Sequence, residues 1–156
     1  MASKEKMNKK EILIAVDDSE NALRAVTYVG QLLGGASNFK ITLLHIIPDP
    51  EDDYFPSQEE KIKWLSHYKK KTDALLDDYR QVMIREGFRS QDIAQRSAPL
   101  SYPSIAECIL AECKNAGNTT IVVGRQGFSR SEEFLFGSIS NKIVNHARNC
   151  TVWVVE

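Results

Sequence analysis

The sequence predicts an α/β fold, a three-layer α/β/α sandwich in which a parallel sheet carries helices on both faces. Two observations lead there. Short continuous apolar runs read as strands buried on both sides, and they are separated by longer segments with apolar residues three and four apart. Five such strands and four such helices alternate strictly along the chain, the pattern of parallel strands joined by right-handed crossovers.

Residues 1–10 are rich in lysine and read as a flexible N-terminal arm ahead of a single domain at 11–156. Residues 12–16, Ile-Leu-Ile-Ala-Val, form the first strand. Asp17-Asp18-Ser19-Glu20 then offers helix-start chemistry: Asp17 or Ser19 can cap the orphan N–H groups, and Asp17-x-x-Glu20 has capping-box spacing. Ala22, Leu23, Val26, Gly30 and Leu33 make the apolar stripe of the first helix, which Gly34-Gly35 ends. Residues 39–47 are the second strand, with His45 read as a satisfied core or strand-end histidine. The acidic loop 48–56 has no glycine for a calcium-loop turn and reads as solvated.

Ser57-x-x-Glu60 is a second capping pattern and opens a helix to about residue 86. Leu65, Tyr68, Thr72, Leu75, Tyr79 and Val82 line one of its faces. Residues 92–98 are the third strand. Pro103 suits the first turn of the third helix, whose apolar side is Ile105, Ile109, Leu110 and Cys113 and whose end is Gly117. Residues 119–123 are the fourth strand, residues 138 to about 147 the fourth helix and residues 151–155 the last strand.

Between the fourth strand and fourth helix lies Gly124-Arg125-Gln126-Gly127, then nine residues, then Gly137-Ser138. Strand, glycine loop and helix N-terminus together favour an anion, because backbone N–H groups can approach it closely at the positive end of the helix dipole. Ser138 and Ser140 could add hydroxyl hydrogen bonds to phosphate oxygens. In parallel sheets ligands bind beyond the carboxyl ends of strands where the strand order reverses. If strands one and four are neighbours, Asp17 and Gly124 line one crevice, with a carboxylate for hydroxyls or amines and backbone donors for phosphates.

A chain of 156 residues suits one domain and buries roughly 70% of its unfolded surface, so it needs no disulfide or structural metal. A net charge of −1 gives no basic field for nucleic acid or anionic lipid. No apolar run is long enough for a signal-peptide core or a membrane span. Cys108, Cys113 and Cys150 are an odd set without a C-x-x-C pair, and read as small core residues in a reducing, cytoplasmic setting. Cys108 and Cys113, five apart on a helix, are expected on different faces. Walker, dinucleotide and hydrolase-elbow motifs are absent. A phospho-accepting receiver is excluded, because the third strand ends in Gln95-Arg96-Ser97-Ala98 without an aspartate.

The G-2x-G-9x-G-S loop resembles that of the ATP-binding universal stress proteins, and the resemblance spans about residues 10–156. Ile-Leu-Ile-Ala-Val-Asp-Asp-Ser at the start, Ile-Thr-Leu-Leu-His-Ile-Ile in strand two, and Gly-Ser-Ile-Ser-Asn-Lys-Ile-Val before Thr-Val-Trp-Val-Val at the end also carry it. It implies strand order 3-2-1-4-5, the adenine nucleotide alpha hydrolase-like arrangement. It places Ala15, Val16 and Asp17 at adenine or ribose, and Ile46 against adenine. Gly124, Gln126, Gly127, Gly137, Ser138 and Ser140 would surround ribose and phosphates, with Val123 and Ile139 flanking. ATP, AMP or ADP would be the ligand, with Mg²⁺ or Mn²⁺ held through phosphates and no protein metal site. The family also implies a homodimer through strand 151–155, whose apolar edge wants a partner. No residue reads as a general base, so the site looks built to hold ATP as a regulatory module. A slow ATPase, autophosphorylation on Ser138 or Ser140, and a nucleotide-independent dimeric scaffold are the alternatives. Glu132 and Glu133, inside the nine-residue stretch, would repel a triphosphate if they faced it and so favour the scaffold.

Overall fold

The computed structural model describes residues 9–117, 120–125 and 138–156. Among these, β1 (Lys10–Ala15), β2 (Phe39–Ile47), β3 (Ile93–Pro99), β4 (Thr120–Gly124) and β5 (Thr151–Val155) form one sheet. All neighbouring strands are parallel, in the order β3-β2-β1-β4-β5. The crossover helices are α1 (Glu20–Leu33), α2 (Gln58–Arg85), α3 (Ile105–Ala116) and α4 (Ser138–His146). The predicted fold class and strand order are thus those observed.

Two cores follow from the alternation of side chains along each strand. Ile12, Ile14 and Val16 of the β1 segment, Ile41 and Leu43 of β2 and Val122 of β4 face α1 and α2. Leu13, Leu44, Ile46, Ile121 and Val123 face α3 and α4. Each strand of the centre is covered on both sides, so residues 12–16 and 121–123 are apolar without a break, while β2 admits Thr42 and His45 among its apolar residues.

Several details depart from the sequence expectation. The fold begins before the expected arm boundary: Lys10 pairs with Phe39 in β1–β2 register, and its N–H donates to the Asn38 carbonyl at 2.8 Å. Leu23 is exposed, whereas Ala25 and Val29 are fully buried, because α1 meets the sheet through its small residues. In α2 the buried positions, Thr72, Leu76, Tyr79 and Met83, all lie in the second half. Leu65, Tyr68, Leu75 and Val82 are only half-buried flanking positions. Pro103 precedes the α3 N-cap instead of entering the first turn; the cap is Ser104, whose Oγ accepts from the Glu107 N–H. Cys108 and Cys113 enter the same core, since α3 is covered by both the sheet and α4.

The far ends of α1 and α2 touch backbone to backbone. A Cβ at Gly34 would lie 1.8 Å from the Glu86 carbonyl oxygen, which no side chain tolerates. Near this corner Asp92 leaves β3 for a short 3-10 turn (Ser90–Asp92), because its buried carboxylate is held by Lys9 and Arg89. The hydrogen bond from Lys9 holds that carboxyl below its ordinary value of 3.8; burial opposes this, and Arg89 adds to it.

A depressed carboxyl pKa contributes stability that is full above the ordinary value and is lost as pH falls through the folded one. Asp92→Asn should therefore be less stable at neutral pH and show a shallower loss between about pH 5 and 2. Urea unfolding across that range checks this; parallel profiles for the two proteins would count against it.

Candidate functional site

The strand order reverses between β1 and β4, whose residues Ile14 and Val122 are partners. Parallel sheets open a crevice there, beyond the carboxyl ends of the two strands. The β1–α1 turn is built first by local chemistry. The Asp17 Oδ1 accepts from the Ser19 N–H at 2.9 Å, and the Ser19 Oγ accepts from the Ala22 N–H at 3.1 Å. Ser19 is therefore the N-cap, and the Asp17–Glu20 capping box does not form. Glu20 is the first helical residue and sits beside Arg24, one turn on.

Long-range contacts then fix this turn. The Val16 N–H donates to the Leu44 carbonyl at 2.8 Å, which extends the β1–β2 ladder. The Val16 carbonyl lies 2.7 Å from the buried His45 Nδ1, and the His45 Nε2 lies 2.7 Å from the Tyr68 hydroxyl. A carbonyl only accepts, so Nδ1 carries the imidazole proton and Nε2 accepts from Tyr68. The Tyr79 hydroxyl donates to the Asp17 carbonyl at 2.5 Å. Burial, then Asp17, Asp18 and Asp78, push the Tyr79 phenol up to about 12. Burial, then Asp18 and Asp17, also raise Tyr68.

Asp17 is only 6% exposed. Its Oδ1 is used within the turn, and among the described residues its second carboxylate oxygen accepts no hydrogen bond. On the opposite lip, Gly124 presses against the first turn of α1: an added Cβ would lie 2.9 Å from the Asn21 carbonyl carbon and oxygen. This contact joins the β4 exit to the β1–α1 turn. The next residue, Arg125, donates its N–H to the Val155 carbonyl at 2.8 Å and pairs with Glu156 at 2.6 Å. The Ser140 Oγ donates to the Arg125 carbonyl at 3.2 Å, so buried Ser140 ties α4 to the same exit.

The expected site residues therefore divide. Val16, Asp17 and Gly124 come together at the switch point. Ala15, Ile46, Val123 and Ile139 belong to the adjoining α3/α4 core, with Ile46 and Val123 buried. Ser138 is exposed on the first turn of α4, and Ser140 is buried beneath it. Gln126, Gly127 and Gly137 lie outside the described residues. Among the described residues no group of three or more His, Cys, Asp or Glu could hold a metal ion.

Sequence reasoning placed Tyr68 and Tyr79 on a core face and missed their hold on the turn. The available signal was their spacing of eleven residues, three helical turns, which aligns two phenols on one face of α2. An open groove of about 600 Å³ lies to the side, lined by Asp18, Leu23, Leu75, Tyr79, Val82 and Arg85 among others. It runs between α1 and α2 and does not include Gly124 or Ser138.

Residues 8–156 match the family model described as the universal stress protein family. The chain belongs to the universal stress protein family. A Staphylococcus aureus (strain USA300) protein assigned to the same family is 32% identical over 149 residues, covering 94% of this chain and 84% of the relative. A universal stress protein solved in complex with cAMP superposes with a TM-score of 0.70 at 20% identity, over 96% of this chain and 98% of that one. The Archaeoglobus fulgidus universal stress protein in complex with dAMP gives 0.60 at 18%, over 96% and 99%. At these identities the two solved structures establish the fold. This universal stress protein has no helix, among its described residues, long and apolar enough to cross a membrane.

Tyr79→Phe should cost about 1–3 kcal/mol, because it strands the buried Asp17 carbonyl. The raised phenol adds stability that is full below its ordinary value of 10.0 and is lost as pH rises through about 12. Urea unfolding should thus show the penalty at neutral pH and see it shrink toward pH 12. Equal stability of the two proteins at pH 7 would refute the clamp.

Proposed function

We propose that this universal stress protein binds ATP, with Mg²⁺ or Mn²⁺, in the crevice between the ends of β1 and β4, as a nucleotide-responsive regulatory module of the cytoplasm. The observation that carries this reading is the buried Asp17 carboxylate at the switch point, with one oxygen left over, in a turn whose helix start lies against the β4 exit at Gly124, where a side chain would clash with Asn21. Such a carboxylate suits the hydroxyls of a ribose or the amine of adenine. The cAMP and dAMP complexes of other family members support an adenine nucleotide as the ligand class.

In this reading Ala15, Val16 and Asp17 meet adenine or ribose, and Ile46 packs on adenine. Gly124, Gln126, Gly127, Gly137, Ser138 and Ser140 surround ribose and phosphates, with Val123 and Ile139 at the flanks. The metal is held by phosphate oxygens, as suits a hard cation that keeps several waters. His45 is committed to Val16 and Tyr68, and Asp17 stands at the nucleoside end, so among the described residues the chain binds and orients ATP without offering a base for the attacking water.

Thermal unfolding with and without Mg-ATP tests this on wild type and Asp17→Asn. The amide keeps an acceptor for the Ser19 N–H but loses the charge. ATP at about 100 times its Kd should stabilise wild type by roughly 2.7 kcal/mol, and the variant should need at least tenfold more ATP for the same shift. No shift at millimolar ATP in protein purified free of nucleotide would favour the scaffold reading instead.

A homodimer through β5 is part of the proposal. β5 is an edge strand, and Val154 (41% exposed) and Val144 on the adjacent α4 (53%) leave apolar surface beside it. Val154→Asp should turn a dimer into a monomer in sedimentation velocity; an unchanged dimer would exclude this edge.

A further inference from the structure

The helices α1 and α2 are held close at one end by glycine. A Cβ at Gly30 would lie 3.0 Å from the Glu86 Cγ, and one at Gly34 would strike the Glu86 carbonyl. Toward the start of α1 the groove of about 600 Å³ lies between them. Leu23 continues, at helical spacing, the α1 stripe of Val26, Gly30 and Leu33 that packs toward α2. Val26 and Gly30 are buried, yet Leu23 is 45% exposed, because here it meets the groove. The face that α2 turns to the groove repeats at the same spacing: Leu75, Asp78, Val82 and Arg85. Leu75 and Val82 are half-buried flanks of the core below, and with Leu23 they give the groove an apolar floor. Asp18, Glu20 and Asp78 form an acidic rim, and Arg85 follows two turns of α2 beyond Asp78, about 10 Å away. Glu20 sits beside Arg24 at 3.6 Å. Among the described residues, exposed Asp18 and Asp78 have no ion-pair partner.

We propose that this groove docks a basic amphipathic helix of a partner protein. Its apolar stripe lies on Leu23, Leu75 and Val82, and its lysine or arginine side chains meet Asp18 and Asp78. Three features select that occupant. The exposed floor offers apolar area that a stripe at helical spacing can cover. The walls are helix sides whose backbone groups are bonded within each helix, so an extended segment gains no ladder there, whereas a helix satisfies its own backbone. The two open carboxylates attract cations and repel an acidic helix, and Arg85 at the far end sets direction by taking a carboxylate of the partner. The groove does not include Gly124 or Ser138, so it is a surface separate from the crevice proposed for ATP. Tyr79 lines the groove and holds the Asp17 carbonyl, so the two are neighbours.

The experiment uses the full chain free of nucleotide, which makes its result independent of the ATP reading. The probes are two fluorescein-labelled synthetic helices of roughly 18 residues that share one leucine stripe and carry either lysine or glutamate beside it. Fluorescence anisotropy should show saturable binding of the lysine peptide and at least about tenfold weaker binding of the glutamate peptide. Asp18→Asn combined with Asp78→Asn, and separately Leu23→Ser, should each weaken the lysine peptide about tenfold. Thermal melting checks that each variant is folded, and either serves if the other melts low. Glu51→Gln with Asp53→Asn removes the same charge from the exposed loop at 48–56, outside the groove, and should leave the affinity unchanged. The proposal fails if the lysine peptide does not saturate wild type by about 100 μM, if the glutamate peptide binds as well, or if the loop variant loses as much as the groove variants.

Discussion

Where β1 leaves the sheet, the chain turns into α1 with two backbone carbonyls, those of Val16 and Asp17, that fall outside both the strand ladder and the helix. A buried carbonyl without a partner is costly, so the fold must supply donors. His45 from β2 satisfies the first and Tyr79 from α2 the second, while Tyr68, also from α2, orients the imidazole. The position of α2 and the conformation of the β1–α1 turn are thereby the same constraint. Because that turn carries Asp17, the constraint also holds the carboxylate at the switch point.

The opposite side of the crevice is fixed by exclusion of side-chain volume. Gly124 lets the β4 backbone meet the Asn21 backbone at a distance that even a methyl group would violate. Ser140 and the Val155 carbonyl then hold the Arg125 main chain from above and beside. A donor network on one lip and a steric requirement on the other give a rigid pair of edges, which is the physical condition for binding a ligand without reorganisation. Rings extend the network outward: His45, Tyr68, Trp64, Phe55 and Tyr54 pack in succession with centroids 5.1 to 5.8 Å apart. The first half of α2, which contributes no fully buried residue, is joined to the fold through this row.

The elements were legible wherever local rules and burial agree. The apolar runs of β1 and β4 are unbroken because both faces are covered, and Ser57 and Ser104 cap their helices through the side-chain oxygens that such residues offer. Errors arose where a distant group competed with a local signal. Of the two expected caps for α1, Ser19 takes the role and Asp17 accepts from the Ser19 N–H within the turn. Asp92 looked like the start of a strand, but Lys9 draws it into a turn from across the sequence. Of the candidate site, Asp17 was legible from its strand-end position and Gly124 from the glycine spacing, and His45 was read as a satisfied histidine without its partners; Tyr68 and Tyr79 were assigned to packing, because their spacing aligns them on one helix face but partners 23 to 62 residues away are not named by it.

The sequence by itself determined the alternation of strands and helices, the two-sided burial of the central strands, and the residues that stand at strand ends. Those features depend on periodicity and on turn chemistry, which act over a few residues. Only the tertiary structure decided which carbonyls the α2 residues would capture, that Gly124 would lie against Asn21, and that Ser140 would bond the Arg125 carbonyl. Each of these joins atoms from separate elements, and their distance is set by how helices of particular length and side-chain size settle on the sheet.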